Sequence, residues 1–392
     1  MNKVIVSLAL GTFGLGMAEF GIMGVLTELA RDVHIPVSSA GHMISFYALG
    51  VVVGAPVMAL FSSRFSLKTI LLFLVALCII GNAIFTFSSS YSMLIAGRLI
   101  SGFPHGAFFG VGAIILTKVI RPGKVTAAVA GMVSGMTLAN LIGIPLGTFL
   151  SQEYSWRATF LLIAVFNLAV MVSVIFCIPD ITDNAPTKLR EQFHFLRSAA
   201  PWLIFLATLF SNAGVFAWFS YIKPVMINVS GFSETMMPWI MMLVGLGMVL
   251  GNIVSGQLSS RFSPLRMAIM TNLTIAAALG LIFLFAWQQA ASLSLAFIGC
   301  AGLFALSAPL QILLLQNAQG GEMLGAAGGQ IAFNLGSAIG AYCGGIMLTA
   351  NLTYNYVALP AALLSLSAML SLIGYSRLKS RAGFGANADA TA

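Results

Sequence analysis

Apolar residues fill this chain in long unbroken tracts, and polar positions are confined to short seams between them. Met267 to Gly321 and Met323 to Ser376 each run more than 50 residues without one Asp, Glu, Lys or Arg. About 20 mostly apolar residues suffice for a helix to cross the hydrocarbon core of a bilayer, so each tract accommodates two spans and a turn. Twelve such segments are predicted, over residues 4–27, 39–61, 68–88, 91–117, 125–150, 157–178, 201–227, 235–258, 265–286, 291–315, 322–349 and 353–376. The fold class expected is an all-α membrane protein with twelve transmembrane helices.

The tracts also repeat. Gly50-Val-Val-Val-Gly-Ala-Pro-Val-Met-Ala-Leu-Phe-Ser-Ser-Arg-Phe-Ser66 aligns without a gap on the stretch from Gly247 to Ser263, with nine of 17 positions identical at an offset of 197. The same offset lays Ala130-Gly131 on Ala327-Gly328, Leu138 on Leu335, Ile142-Gly143 on Ile339-Gly340 and Gly147 on Gly344. A membrane chain built twice from one pattern has the plan of a transporter, with its special site where the halves meet. Two pseudo-symmetric six-helix bundles are expected, over residues 1–178 and 201–378. A polar linker, 179–200, joins them, and a disordered tail, 379–392, follows. Leu189, Phe193 and Leu196 have helical spacing within the linker, which suits a segment lying flat on the membrane surface.

Charge changes the picture by where it sits. Only 7% of residues are charged and 59% are hydrophobic, against roughly 25% charged in a soluble globular chain. An even number of spans puts both termini on one side, and Lys3 and the Arg377, Lys379 and Arg381 tail make that side the cytoplasm. The loops on that side agree, so that 14 of the 18 basic residues fall inside and only Arg31 and Arg157 outside. The net charge of +8 is then a positive-inside bias and implies no nucleic-acid partner. Cys78, Cys177, Cys300 and Cys343 lie within apolar spans without metal-ligand spacing, and no disulfide is expected. The first segment is too long for the apolar core of a signal peptide and belongs to the repeat, so it is expected to be retained.

Ionisable groups inside spans are costly and therefore informative. Glu19 lies in the otherwise uncharged run Gly14-Leu-Gly-Met-Ala-Glu-Phe-Gly-Ile-Met-Gly24. Desolvation there favours the protonated form unless a cation holds the charge, which suits a proton carrier. Arg98 in the fourth helix is expected at the same depth, as a permanent cation that the carboxylate grips or releases. His105, in Gly102-Phe-Pro-His-Gly106, could relay a proton or be a buried histidine bound to backbone, and Pro104 predicts a bend. His42 is read as interfacial. Candidate substrate-binding groups are Asn140 in the fifth helix, Asn212, Phe216, Trp218 and Tyr221 in the seventh, Gln311 in the tenth and Asn334 in the eleventh. The small-residue spacing around Asn140 and Asn334 is first of all a packing signal. Lys223 is close enough to the outer end to snorkel. No nucleotide-binding motif or metal-ligand pair is present, so no cofactor is expected and uphill pumping would need an ion gradient.

Met17-Ala-Glu-Phe-Gly-Ile-Met-Gly-Val-Leu26, Tyr47-Ala-Leu-Gly-Val-Val-Val-Gly-Ala-Pro56 and Ser155-Trp-Arg-Ala-Thr-Phe160 carry a family likeness over essentially the full length. The chain resembles the major facilitator superfamily, in particular its drug:proton antiporter and sugar-efflux branch of arabinose-efflux type. The resemblance implies that Arg98 with Gly102 forms the fourth-helix proton-transfer motif and that Glu19 holds the acidic position of proton-coupled members. It implies a substrate path lined by the first, fourth, seventh and tenth helices. Gly143, Pro145 and Gly147 are similar to the fifth-helix antiporter motif, with Ile144 where a glycine usually stands. Arg64 and its repeat counterpart Arg261 occupy the gating-loop position, but Ser63 replaces the Asp before Arg64 and Ser66 replaces the following Gly.

The function expected is proton-coupled efflux of a small sugar-like or amphipathic drug-like molecule by alternating access, by a monomer in the bacterial inner membrane, in contact with lipid. An uncoupled sugar facilitator, with Glu19 and Arg98 a purely structural pair, is the alternative. An integral-membrane processing factor is a remote third, because only Glu19, Arg98 and His105 could supply its chemistry. No enzyme activity is expected.

Overall fold

A computed structural model describes residues 2–61, 65–121, 124–181, 194–258, 261–318 and 322–389. Among them are 12 helices long and apolar enough to cross a membrane. They are α1 (Asn2–Asp32), α2 (Val37–Phe61), α3 (Leu67–Phe87), α4 (Tyr91–Gly102 and Pro104–Val119), α5 (Val125–Leu138, Ala139–Gly143 and Ile144–Glu153) and α6 (Trp156–Cys177). The second half follows as α7 (Ala199–Phe219 and Ile222–Asn228), α8 (Met237–Leu258), α9 (Pro264–Phe285), α10 (Gln289–Asn317), α11 (Glu322–Thr349) and α12 (Ala358–Asp389). The fold class read from the sequence holds. Arg64 and linker residues 182–193 lie outside the described residues.

Local chemistry sets the helix ends. The repeated Ser-Arg-Phe-Ser block ends on an N-cap in both halves: Ser66 Oγ accepts from the Thr69 amide at 3.3 Å, and Ser263 Oγ from the Arg266 amide at 3.4 Å. Helix α1 runs on to Asp32, past the predicted boundary at residue 27, and in these last turns Glu28, Arg31 and Asp32 pair with Lys223, Glu234 and Arg157. The last helix likewise continues past the predicted boundary at residue 376. On the linker, Leu67 N–H donates to Ile181 O at 2.8 Å, and Trp202 Nε1 donates to Leu196 O at 2.8 Å beside a single 3-10 turn, His194–Arg197.

Among the described residues, three spans are broken. In α4 the break falls at Phe103, where Pro104 has no amide hydrogen to continue the ladder. In α5 one turn, Ala139–Gly143, is wound as a π-helix just before Pro145, with the Ile144 amide reaching back to Ala139 O. In α7 the helix stops at Phe219 and restarts at Ile222.

Backbone-to-backbone crossings bind each half together. A Cβ on Gly54 of α2 would lie 1.9 Å from Phe103 O of α4, and one on Gly251 of α8 would lie 2.0 Å from Ala301 O of α10. These glycines are the repeat's identical positions, so the same crossing is built twice. Between the halves, α2 packs on α11, α5 on α8 and α1 on α7. One apolar core joins the two halves and, within the C-terminal half, reaches Leu314, Leu372 and Tyr375 on the terminus side. A second, from Val4 to Ile178, belongs to the N-terminal half alone on the terminus side. Contacts between the halves, Lys223 with Glu28, Ser45 with Ala338 and Gln152 with Glu234, join them toward the end opposite the termini.

Candidate functional site

Glu19, Arg98 and His105 converge in the N-terminal half, all buried. Arg98 donates from Nε to Met43 O at 3.0 Å and from Nη1 to Ala18 O at 2.7 Å. Its guanidinium lies 4.3 Å from the centre of the Tyr47 ring, with Phe85 at 5.6 Å and Phe160 at 5.7 Å. The cation thus sits in an aromatic cage from α2, α3 and α6, and grips the backbone of α1 one residue before Glu19. No Glu19–Arg98 contact within 4 Å is formed among the described residues: Nε and Nη1 go to backbone carbonyls. The group facing the carboxylate is His105, whose Nε2 stands 3.6 Å from Glu19 Oε2.

Tyr47, absent from the expected site, completes the cluster. Its hydroxyl is 3.0 Å from His105 Nδ1 and 3.4 Å from Leu15 O. With Nδ1 protonated, the histidine donates to the hydroxyl, the hydroxyl donates to Leu15 O, and Nε2 faces Glu19 as an acceptor. With Nε2 protonated, the hydroxyl donates to Nδ1, and the ring offers an N–H to a carboxylate. The histidine can therefore present either face to Glu19, which is what proton exchange at that carboxyl requires. Glu19 Oε2 and Arg98 Nη2 have no hydrogen-bond partner among the described residues, an unusual state for buried charge-bearing atoms. Tyr47 was legible only as part of a motif, since nothing in a lone tyrosine marks it as a bridge.

The candidate substrate groups separate. Asn212 and Gln311 line one small cavity of about 60 Å³ with Thr208, Ser307, Gln330 and Phe333. Phe216 packs against Phe333 at 6.1 Å and against Phe20 of α1 at 5.9 Å, so it forms the wall between this cavity and the first half. Asn334 Nδ2 donates to Gln330 O at 3.0 Å, and its Oδ1 is unpartnered. Asn140 lies in the π-turn of α5 with both amide atoms unpartnered. Neither Trp218 nor Tyr221 lines the cavity. Trp218 is fully buried, and the Tyr221 hydroxyl donates to Ala341 O at 2.9 Å where α7 packs on α11.

Of the gating and structural candidates, Arg261 is exposed, and its backbone N–H donates to Leu258 O at 2.9 Å. Gly143 is the last residue of the π-turn and Pro145 and Gly147 follow it, and within the turn Asn140 O would lie 2.2 Å from a Cβ on Gly245 of α8. The antiporter-like glycines themselves pack within their own half, Gly143 on Met17 of α1 and Gly147 on Thr159 of α6. His42, read as interfacial, is half-buried, with Nδ1 2.5 Å from the Tyr91 hydroxyl and its ring stacked at 6.0 Å on Tyr342. Lys223 does not snorkel: it is fully buried and paired with Glu28 of α1. The sequence misplaced it because its partner lies 195 residues away.

The chain matches a known family model, that of the Major Facilitator Superfamily, over residues 8–331. The chain belongs to that superfamily of transporters. This superfamily member is 75% identical over 379 residues to the "Putative transporter AraJ" of Escherichia coli (strain K12), covering 97% of this chain and 96% of that one. It is 33% identical to the "Inner membrane transport protein YdhP" of Escherichia coli O157:H7, over 94% of this chain and 95% of the relative. Among solved structures, it resembles a D-xylose–proton symporter with a TM-score of 0.73 at 14% identity, over 94% of this chain and 96% of the other, a likeness of fold. The superfamily's work is transport, and the chain is not an enzyme.

Proposed function

We propose that this transporter exports a small sugar-like or amphipathic drug-like molecule in exchange for protons, as a monomer in the inner membrane with both termini in the cytoplasm. The observation that carries the reading is the buried Glu19 carboxyl, left without a hydrogen-bond partner on Oε2 and set 3.6 Å from His105 Nε2. A carboxyl used only to pair structurally would be expected to have its acceptors satisfied. In the outward-open state Glu19 takes a proton from outside and substrate leaves. In the inward-open state the proton leaves toward the cytoplasm, and substrate binds from that side between the halves. Arg98 stays charged throughout, and its hold on Ala18 O fixes the depth of Glu19. Asn212 and Gln311 offer uncharged hydrogen-bonding groups to the substrate beside the Phe216 wall, and Asn140 and Asn334 stand ready at its margins.

The test uses liposomes with a pH-sensitive dye inside. A thermal-shift screen against pentoses and lipophilic antimicrobials, at two pH values, first selects the compound. That compound is then expected to drive proton movement in the wild type, and Glu19→Gln is expected to abolish it. Full coupling in Glu19→Gln would refute the role. Equilibration without any proton movement in the wild type would make the protein an uncoupled facilitator.

A further inference from the structure

Lys223 and Glu28 form a buried charge pair that the proton site does not use. The lysine side chain is 0% exposed and the glutamate 18%. Lys223 Nζ also donates to Gly24 O at 3.1 Å, and Glu28 Oε2 accepts from Thr27 Oγ1 at 3.1 Å. The restart of α7 after its break at Ser220–Tyr221 aims the lysine across the joint at α1. By the 197-residue offset, Lys223 corresponds to Leu26 (223 − 197) and Glu28 to Val225 (28 + 197). Both counterparts are fully buried apolar residues. The charge pair therefore straddles the pseudo-two-fold axis, at a place where the repeat's own pattern is hydrocarbon.

We infer that the Lys223–Glu28 pair is a releasable latch that holds the far end of the two halves shut. An apolar contact there would oppose opening, since parting it exposes hydrocarbon to water. A charge pair behaves differently. Desolvation makes it a weak stabiliser while buried, and water solvates both ions once the joint parts. The two states are thereby kept close in free energy, as an alternating cycle needs. Around the latch, Arg31 pairs with Glu234 at 3.6 Å with both side chains exposed, and Gln152 bonds to the backbone of Glu234. These outer contacts are wet, whereas Lys223 is dry, so of the two charge pairs at the joint it is the Lys223 pair whose rupture brings a buried ion into water. The inference rests on movement of the halves and is independent of proton coupling.

The test reads opening directly. Ser45 on α2, whose hydroxyl donates to Ala338 O of α11 at 2.9 Å, is changed to Cys in a background with the four free cysteines replaced. Labelling by a hydrophilic maleimide is timed on the purified full chain in nanodiscs. Lys223→Met alone and Glu28→Gln alone each leave an uncompensated partner, and are expected to raise the labelling rate about tenfold or more. The double replacement Lys223→Met with Glu28→Leu is expected to lower labelling below the parent and to slow transport, because the joint is now apolar. This reversal of sign separates a latch from a structural pair. Unchanged labelling in both single variants would overturn the inference. So would loss of the folded monodisperse protein in the single and double variants alike.

Discussion

At the scale of single residues, the proton site is an arginine problem as much as a glutamate one. A guanidinium carries five donors in a fixed planar fork, and here two are spent on carbonyls from different helices, Met43 O and Ala18 O. Lysine could neither bridge those carbonyls in the same geometry nor stack flat on Tyr47. Arg98→Lys is therefore expected to keep the charge yet lose about 2 kcal/mol of stability and most transport, measured by thermal unfolding and by flux in proteoliposomes. Tyr47→Phe is the complementary change. It retains the ring beneath the guanidinium and removes only the hydroxyl at His105, so unfolding should move little. Proton-driven transport should fall about a hundredfold, the low end for loss of one positioned proton-handling group, and its pH profile should shift. Glu19, Arg98 and His105 stood out in the sequence because ionisable groups are rare in such apolar tracts. Which of them touch did not, since a side chain several atoms long can choose between an acid and a backbone carbonyl only when the neighbouring helices are placed.

At the scale of helices, the repeated glycines are there for contact. Gly54 and Gly251 each bring a helix against a neighbour's carbonyl oxygen, with 1.9 Å and 2.0 Å left where a Cβ would go. Nothing in either crossing can rotate away, because the obstructing atom is main chain. Gly54→Ala and Gly251→Ala are each expected to destabilise by about 2 kcal/mol, as overpacking of a tight core does. Gly280→Ala, on α9 with nothing within 4 Å, should be neutral or slightly stabilising. Thermal unfolding of the three variants in one detergent checks both statements, and equal losses at all three would sink the contact argument. The α4 break was legible because Pro104 lacks its amide hydrogen. The α7 break was signalled too, by Pro224, which has no amide hydrogen to give to Ser220 O, yet the span was read as continuous over 201–227. The π-turn was not legible, since Pro145 says that a helix must adjust without saying how.

At the scale of the whole molecule, the doubled sequence foretold two bundles and a joint, and the joint turns out to be sealed at one end. Periodicity could not reveal this. Every helix is apolar all round, so lipid-facing, core-facing and partner-facing sides read alike, and Lys223 looked like an anchor when it is an interior bond. The arrangement makes a demand on transport. If the far end must part in each cycle, holding it shut should stop turnover without blocking access from the terminus side. Ser38 O lies 3.5 Å from where a Cβ on Gly345 would be, across the α2–α11 seam. Cysteines at these two positions, joined by a short reducible cross-linker, are expected to cut flux to background while the compound still binds, read by thermal shift on the same sample. Reduction should restore flux. Transport that continues at full rate through the cross-linked protein would mean that the α2–α11 seam stays closed throughout the cycle, and that substrate passes by another route than parting of the halves.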